Sequence, residues 1–200
     1  MADVAIDTRR SAVLALHWQV NVIKPEGFFG GMLAEPVARS GVVERATHFH
    51  GAANSAGLPI LFTRFTVPDD GGLLVTNTAF MTAVAASADA FAPGAPGARL
   101  IPEMAAQAAP DLVFDNQKLS GLAGSALPSW LAEHGIDTVL ITGVATNLTV
   151  EQTARHATDL GLTAYVISDC VAAADQATHA ASLANLELTT AGCRSADQVL

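Results

Sequence analysis

Short apolar runs rich in Val, Ile and Leu recur along the chain and alternate with alanine-rich stretches. Continuous apolar runs of this kind predict strands covered on both faces. Six are expected: Ser11–Leu16, Ile60–Phe65, Leu112–Asp115, Thr138–Thr142, Ala164–Ser168 and a last, less apolar one near Thr189–Arg194. Helices are predicted over Pro36–Ala56, Ala126–His134, Asn147–Leu160 and Asp175–Leu186. Three times a helix stops at a glycine and a strand begins a few residues later: Gly57 before Ile60, Gly135 before Thr138, Gly161 before Ala164. Glycine closes a helix because it enters the left-handed region without steric cost. That rhythm is a βα repeat. It predicts an α/β fold, a three-layer α/β/α sandwich around a mostly parallel six-stranded sheet, Rossmann-like in its layering.

Two stretches break the rhythm. Asn21–Met32 holds Pro25, Gly27, Gly30 and Gly31 and reads as a loop. Val67–Pro102 is long and rich in Gly and Pro, with a short helix expected somewhere in Thr78–Ala90. A connection of that length inside a compact fold is usually functional.

With 200 residues, the chain is expected to form a single domain over residues 1–200. Half of its residues are hydrophobic and 14% are charged, which supplies a sizeable core and argues against disorder. Ten Lys and Arg stand against nineteen Asp and Glu, for a net charge of −9 with no basic run. That balance argues against a nucleic-acid partner and against a polybasic membrane anchor. No apolar stretch approaches the ~18 residues of a membrane span. The Thr8-Arg9-Arg10-Ser11 start faintly resembles an export signal, but its apolar run meets His17 too early, so it reads as a first strand. Cys170 and Cys193 form no C-x-x-C and no ligand spacing, which fits reduced cysteines of a cytoplasmic protein. No histidine pair has metal-ligand spacing, and neither a G-x-G-x-x-G nor a P-loop occurs, so no metal and no cofactor are expected.

Ligands of a parallel open sheet bind beyond the carboxyl ends of its strands. The residues that stand there are His17, Trp18 and Gln19; Thr66, Asp69 and Asp70; Gln117 and Lys118; Gly143 to Asn147; and Asp169 with Cys170. Lys118 can serve as an electrostatic or proton-transfer group, although its position alone favours a solvated lysine. Thr146 and Asn147 can cap the following helix, whose free amides could also hold an oxyanion.

Several of these segments resemble one family. Ile141-Thr-Gly-Val-Ala-Thr-Asn-Leu-Thr-Val150 is similar to the TGVATDVCV segment of the isochorismatase-like hydrolases. Leu14-Ala-Leu-His17-Trp-Gln19 resembles their first-strand V-I-D-M-Q. Lys118 with Gly121-Leu122-Ala-Gly124-Ser125-Ala-Leu127 resembles K-x-x-x-A-F-x-G-T-x-L, and Val166 to Ala173 resembles V-x-D-A-x-A. The order holds from Ser11 to Leu200 and implies the isochorismatase-like hydrolase fold, with strand order 3-2-1-4-5-6. The cysteine hydrolases of this family use an Asp–Lys–Cys triad and an oxyanion hole around a cis peptide. Carried over, the Asp position falls on His17, the Lys position on Lys118 and the Cys position on Thr149, while Val144 and Ala145 fall at the oxyanion hole. Isochorismatases proper work without the cysteine but keep the aspartate. Zinc-binding nicotinamidases place Asp and His after the second strand, where this chain has Asp69 and Asp70 and no histidine.

An alcohol ionises far less readily than a thiol, so Thr149 would need a positioned base. His17 could be that base, could activate water, or could act as an acid toward a labile ether. Its titration would then shape the rate across pH 5–8, where an unperturbed imidazole changes charge. The alternatives are an inactive member that binds a small molecule, or an enzyme of another reaction class in the same pocket. Trp18, Gln19, Phe65 and Leu122 are expected at the substrate, with Lys118 as the positive charge. These groups suit a small cyclic or anionic metabolite. The sparsely charged alanine-rich helices and the long Val67–Pro102 segment predict a homodimer or higher homo-oligomer.

Overall fold

In the computed structural model, which describes residues 6–200, the apolar runs pair into a sheet of six strands. They are β1 (Ser11–Leu16), β2 (Ile60–Phe65), β3 (Val113–Asn116), β4 (Thr138–Val144), β5 (Thr163–Ala172) and β6 (Cys193–Arg194). Their order is β3-β2-β1-β4-β5-β6, and every pairing is parallel. The order reverses between β1 and β4, both of which lie in the sheet's centre. This is the position where an open α/β sheet parts its loops and leaves a crevice.

Eight helices connect the strands: α1 (Val20–Ile23), α2 (Gly30–Ser40), α3 (Val42–Ser55), α4 (Ala79–Ala85), α5 (Pro102–Ala105), α6 (Leu127–Glu133), α7 (Glu151–Asp159) and α8 (Gln176–Thr189). Alternation along the strands divides the core between two faces. Val13, Ala15, Ile60 and Phe62 pack with Leu33, Val37, Ala46 and Phe49 of α2 and α3. Leu14, Leu16, Leu61 and Ile141 pack on the other face with Leu127, Leu131, Ala154 and Leu186 of α6, α7 and α8. A third cluster of Phe65, Val67, Met81, Val84 and Phe91 lies under the long β2–β3 connection.

Several boundaries differ from expectation. The helix expected over residues 36–56 is two helices that meet at Gly41, whose φ of 67° turns the chain. The segment expected to be a loop carries α1 and the start of α2. α8 runs on to Thr189, so the last strand shrinks to two residues. β5 is twice as long as its predicted run, because past a register shift Val171 and Ala172 still pair with Gly143 and Val144 of β4. Helix α7 is preceded by a π-helical turn over Thr146–Val150. Gly143 is required where β4 passes β1: its φ is 142°, and a Cβ there would lie 2.4 Å from the Leu16 carbonyl oxygen. Among the described residues no helix is long and apolar enough to cross a membrane.

Candidate active site

A pocket with a cavity volume of about 50 Å³ opens at the carboxyl ends of β1, β2 and β4. His17 reaches it from the end of β1, Phe65 from β2, and Val144 and Ala145 from β4. Leu148 and Thr149 enter from the π-helical turn, Leu119 from the loop after β3, and Phe29, Phe80 and Phe91 from the connections above. The Val144–Ala145 peptide bond is cis.

His17 is the first residue past β1 and has a φ of 53°. A non-glycine residue in that region is strained, and such strain concentrates at functional sites. Its amide donates to the Thr63 carbonyl at 3.1 Å, which anchors the turn. The ring is buried, and loss of hydration pushes its pKa down to about 4. The imidazole is therefore neutral at physiological pH. The neighbouring Asn116 side chain acts in the opposite sense and raises the pKa. Only an acceptor favours the protonated ring. The Asn116 amide nitrogen is already donated to the carbonyls of Lys118 and Ser120, at 3.1 and 2.7 Å. That leaves Asn116 Oδ1, which, like His17 Nε2, has no hydrogen-bond partner among the described residues. An imidazole that carries its proton on Nε2 keeps a bare lone pair on Nδ1.

Asn116 is fully buried at the last position of β3, in register with Phe65. Sequence reasoning passed over it for Lys118, two residues on. The structure turns Lys118 away: its amine donates to the Leu73 carbonyl, and the side chain is not on the pocket wall. A signal was available. Counting back from Gly121-Leu122 by the K-x-x-x-A-F spacing lands on Gln117, so the motif does not hold Lys118 in register.

Thr149 lines the pocket beside His17, but its hydroxyl donates to the Leu119 carbonyl at 2.7 Å. Three expected substrate contacts lie elsewhere. The Trp18 indole is sealed in the core under the sheet, edge-on to His50. Leu122 packs on the opposite face with α6 and α7. Gln19 is a buried clamp whose amide donates to the carbonyls of Phe65 and Ala98 at 3.0 and 2.9 Å and accepts from the Phe65 N–H at 2.7 Å. Side-chain direction, which strand counting does not fix just past the end of β1, accounts for Trp18 and Gln19.

Neither thiol is at the site. Burial pushes Cys170 up to about 12 and Cys193 up to about 11, so both stay protonated at neutral pH. Among the described residues no three His, Cys, Asp or Glu side chains group as metal ligands. The residues after β2 therefore do not fit a nicotinamidase-type zinc ion.

A second buried imidazole, His50 of α3, has its pKa pushed down to about 3 by burial. It touches Thr142 Oγ1 through Nε2 at 2.9 Å. Both His17 and His50 titrate lower in the folded than in the unfolded state. The unfolded chain thus binds more protons below pH 6.5, and stability falls as pH drops from there toward about 4 and 3. Each histidine contributes a slope of up to about 1.4 kcal/mol per pH unit in that window. Urea midpoints measured from pH 7 to 4 are expected to fall, and His50→Gln is expected to flatten the fall. A constant midpoint would contradict the buried neutral state of both rings.

The family model described as Isochorismatase domain matches residues 11–198. An uncharacterized isochorismatase family protein, YecD of Escherichia coli O157:H7, is 26% identical over 98% of this chain and 97% of its own length. Nicotinamidase 3 of Arabidopsis thaliana is 29% identical over 66% of this chain and 64% of its own. Among solved structures, a cysteine hydrolase from Pseudomonas syringae pv. phaseolicola 1448A superposes with a TM-score of 0.84 at 20% identity, covering 96% of this chain and 92% of that one.

Proposed function

The chain belongs to the isochorismatase family, and from that premise we propose that it hydrolyses a small molecule through His17, oriented by Asn116, without a cysteine nucleophile. The observation that carries this is the neutral, strained His17 at the pocket wall. In the proposed step the Nδ1 lone pair takes a proton from water as the water oxygen bonds to the substrate's electrophilic carbon. The imidazolium then returns that proton to the leaving group as its bond to carbon breaks. Backbone amides near Val144 and Ala145 are the proposed donors to the developing oxyanion. The Thr149 hydroxyl, tied to Leu119, favours water over threonine as the nucleophile. Trp18 does not plug the pocket, which favours an active site over an inactive one.

Thr149→Ala tests the choice of nucleophile. Turnover within about threefold of the parent is expected. A loss near the 10²–10⁴-fold typical of acid–base residues would assign the nucleophile to threonine. A homo-oligomer remains part of the proposal, since Phe28, Met32, Leu73 and Val75 expose apolar surface. Light scattering should give a multiple of 20.5 kDa, and the mass of one chain would refute it.

A further inference from the structure

The pocket around His17 is walled by hydrocarbon. Phe29 stacks on Phe80 with ring centroids 5.6 Å apart and planes 6° apart. Phe65 meets Phe91 edge to face at 5.4 Å. Leu33 and Val84 also line the wall, and among the described residues no Lys, Arg, Asp or Glu does. The nearby Lys118 amine is held by the Leu73 carbonyl. The polar side chains that remain on the wall are His17 and Thr149, and the Thr149 hydroxyl proton is already committed. An ion entering such a space loses its water and finds no opposite charge, whereas a ring presents faces and edges that aromatic side chains match.

We propose that the substrate is uncharged and apolar: a compound with one carbocyclic ring, aromatic or saturated, whose single polar group meets His17. This deepens the hydrolase reading and rests on it for the word substrate; the ligand class rests on the wall alone. It replaces the anionic metabolite that Lys118 had suggested. The four phenylalanines come from four separate segments, α1–α2, β2, α4 and the 3₁₀ turn Ala88–Phe91. The long β2–β3 connection thereby supplies two of the four rings, Phe80 and Phe91.

The test is equilibrium binding, by ligand-observed NMR titration at pH 7, of matched probes: methyl benzoate and benzamide against benzoate and benzylammonium. The neutral probes are expected to bind at least about tenfold more tightly than either ion. Phe80→Ala removes a half-buried ring at the mouth and is expected to weaken methyl benzoate about tenfold with an unchanged circular dichroism spectrum. Leu33→Lys, which adds a cation to the wall, should turn the preference toward benzoate. Equal or tighter binding of benzoate or benzylammonium by the parent overturns the proposal. So does absence of binding by all four probes, or neutral binding that Phe80→Ala leaves untouched in a folded protein. Binding of methyl benzoate without its hydrolysis upholds the ligand class and counts only against the catalytic role of His17.

Discussion

Replacing His17 by Asn is expected to lower kcat by about 10²–10⁴-fold with a modest change in KM, the usual worth of a positioned general base. Asparagine keeps a polar group at the site and removes proton transfer. The pH profile should carry a second signature. An unperturbed imidazole would bend the rate between pH 5 and 8. Burial has pushed His17 down to about 4, so the free enzyme's kcat/KM should be level across pH 5–8 and fall as pH drops through about 4. Stopped assays that compare parent and variant at each pH make both measurements. If His17→Asn turns over like the parent across that range, His17 is not the base. Asn116→Asp should move the fall instead of abolishing activity, because an anionic acceptor at Nε2–H raises the imidazole pKa.

The second large effect is structural. Gln19→Leu is expected to destabilise the protein by about 3 kcal/mol or more. It strands the Phe65 N–H and the carbonyls of Phe65 and Ala98, each a buried group that costs about 1–3 kcal/mol when unpaired. The clamp does more than fill hydrogen bonds. Gln19 pairs with Leu100 as an isolated antiparallel bridge, and the Trp18 carbonyl accepts from Ile101 at 2.9 Å. Together these contacts draw the far end of the β2–β3 connection back to β1. They hold Phe65 and Phe91 against the pocket. Urea denaturation should show a lower midpoint with an unchanged slope. A substrate-contact role would instead leave stability intact and raise KM.

The βα alternation, both layers of helices and the location of the pocket at the strand ends were legible in the sequence, and the strand order was what the family resemblance implied. Apolar runs and glycine stops report local backbone preference and burial, and parallel βα connection follows from handedness. The motif around Gly143 likewise announced the segment that bears Val144, Ala145 and Thr149. Boundaries in polar text were not legible. The second half of β5 is held by pairing with β4, and no local pattern records a partner's presence.

The sequence alone settled the three-layer architecture and the family resemblance, which implies that His17 and Thr149 stand where the family has aspartate and cysteine. Only the tertiary structure decided which side chains meet. It tied the Lys118 amine to the Leu73 carbonyl off the pocket wall, buried Trp18 and Leu122 on faces away from the pocket, and turned Gln19 into a clamp. It also gathered Phe29, Phe65, Phe80 and Phe91 from distant segments into one wall. The physical reason is the same in each case. Strand and helix periods fix side-chain direction inside an element, but past a strand end direction is set by turns such as the one at His17, and the partner set by long-range packing. The depressed pKa of His17 belongs with these outcomes, since desolvation depends on everything packed around the ring rather than on its neighbours in the chain.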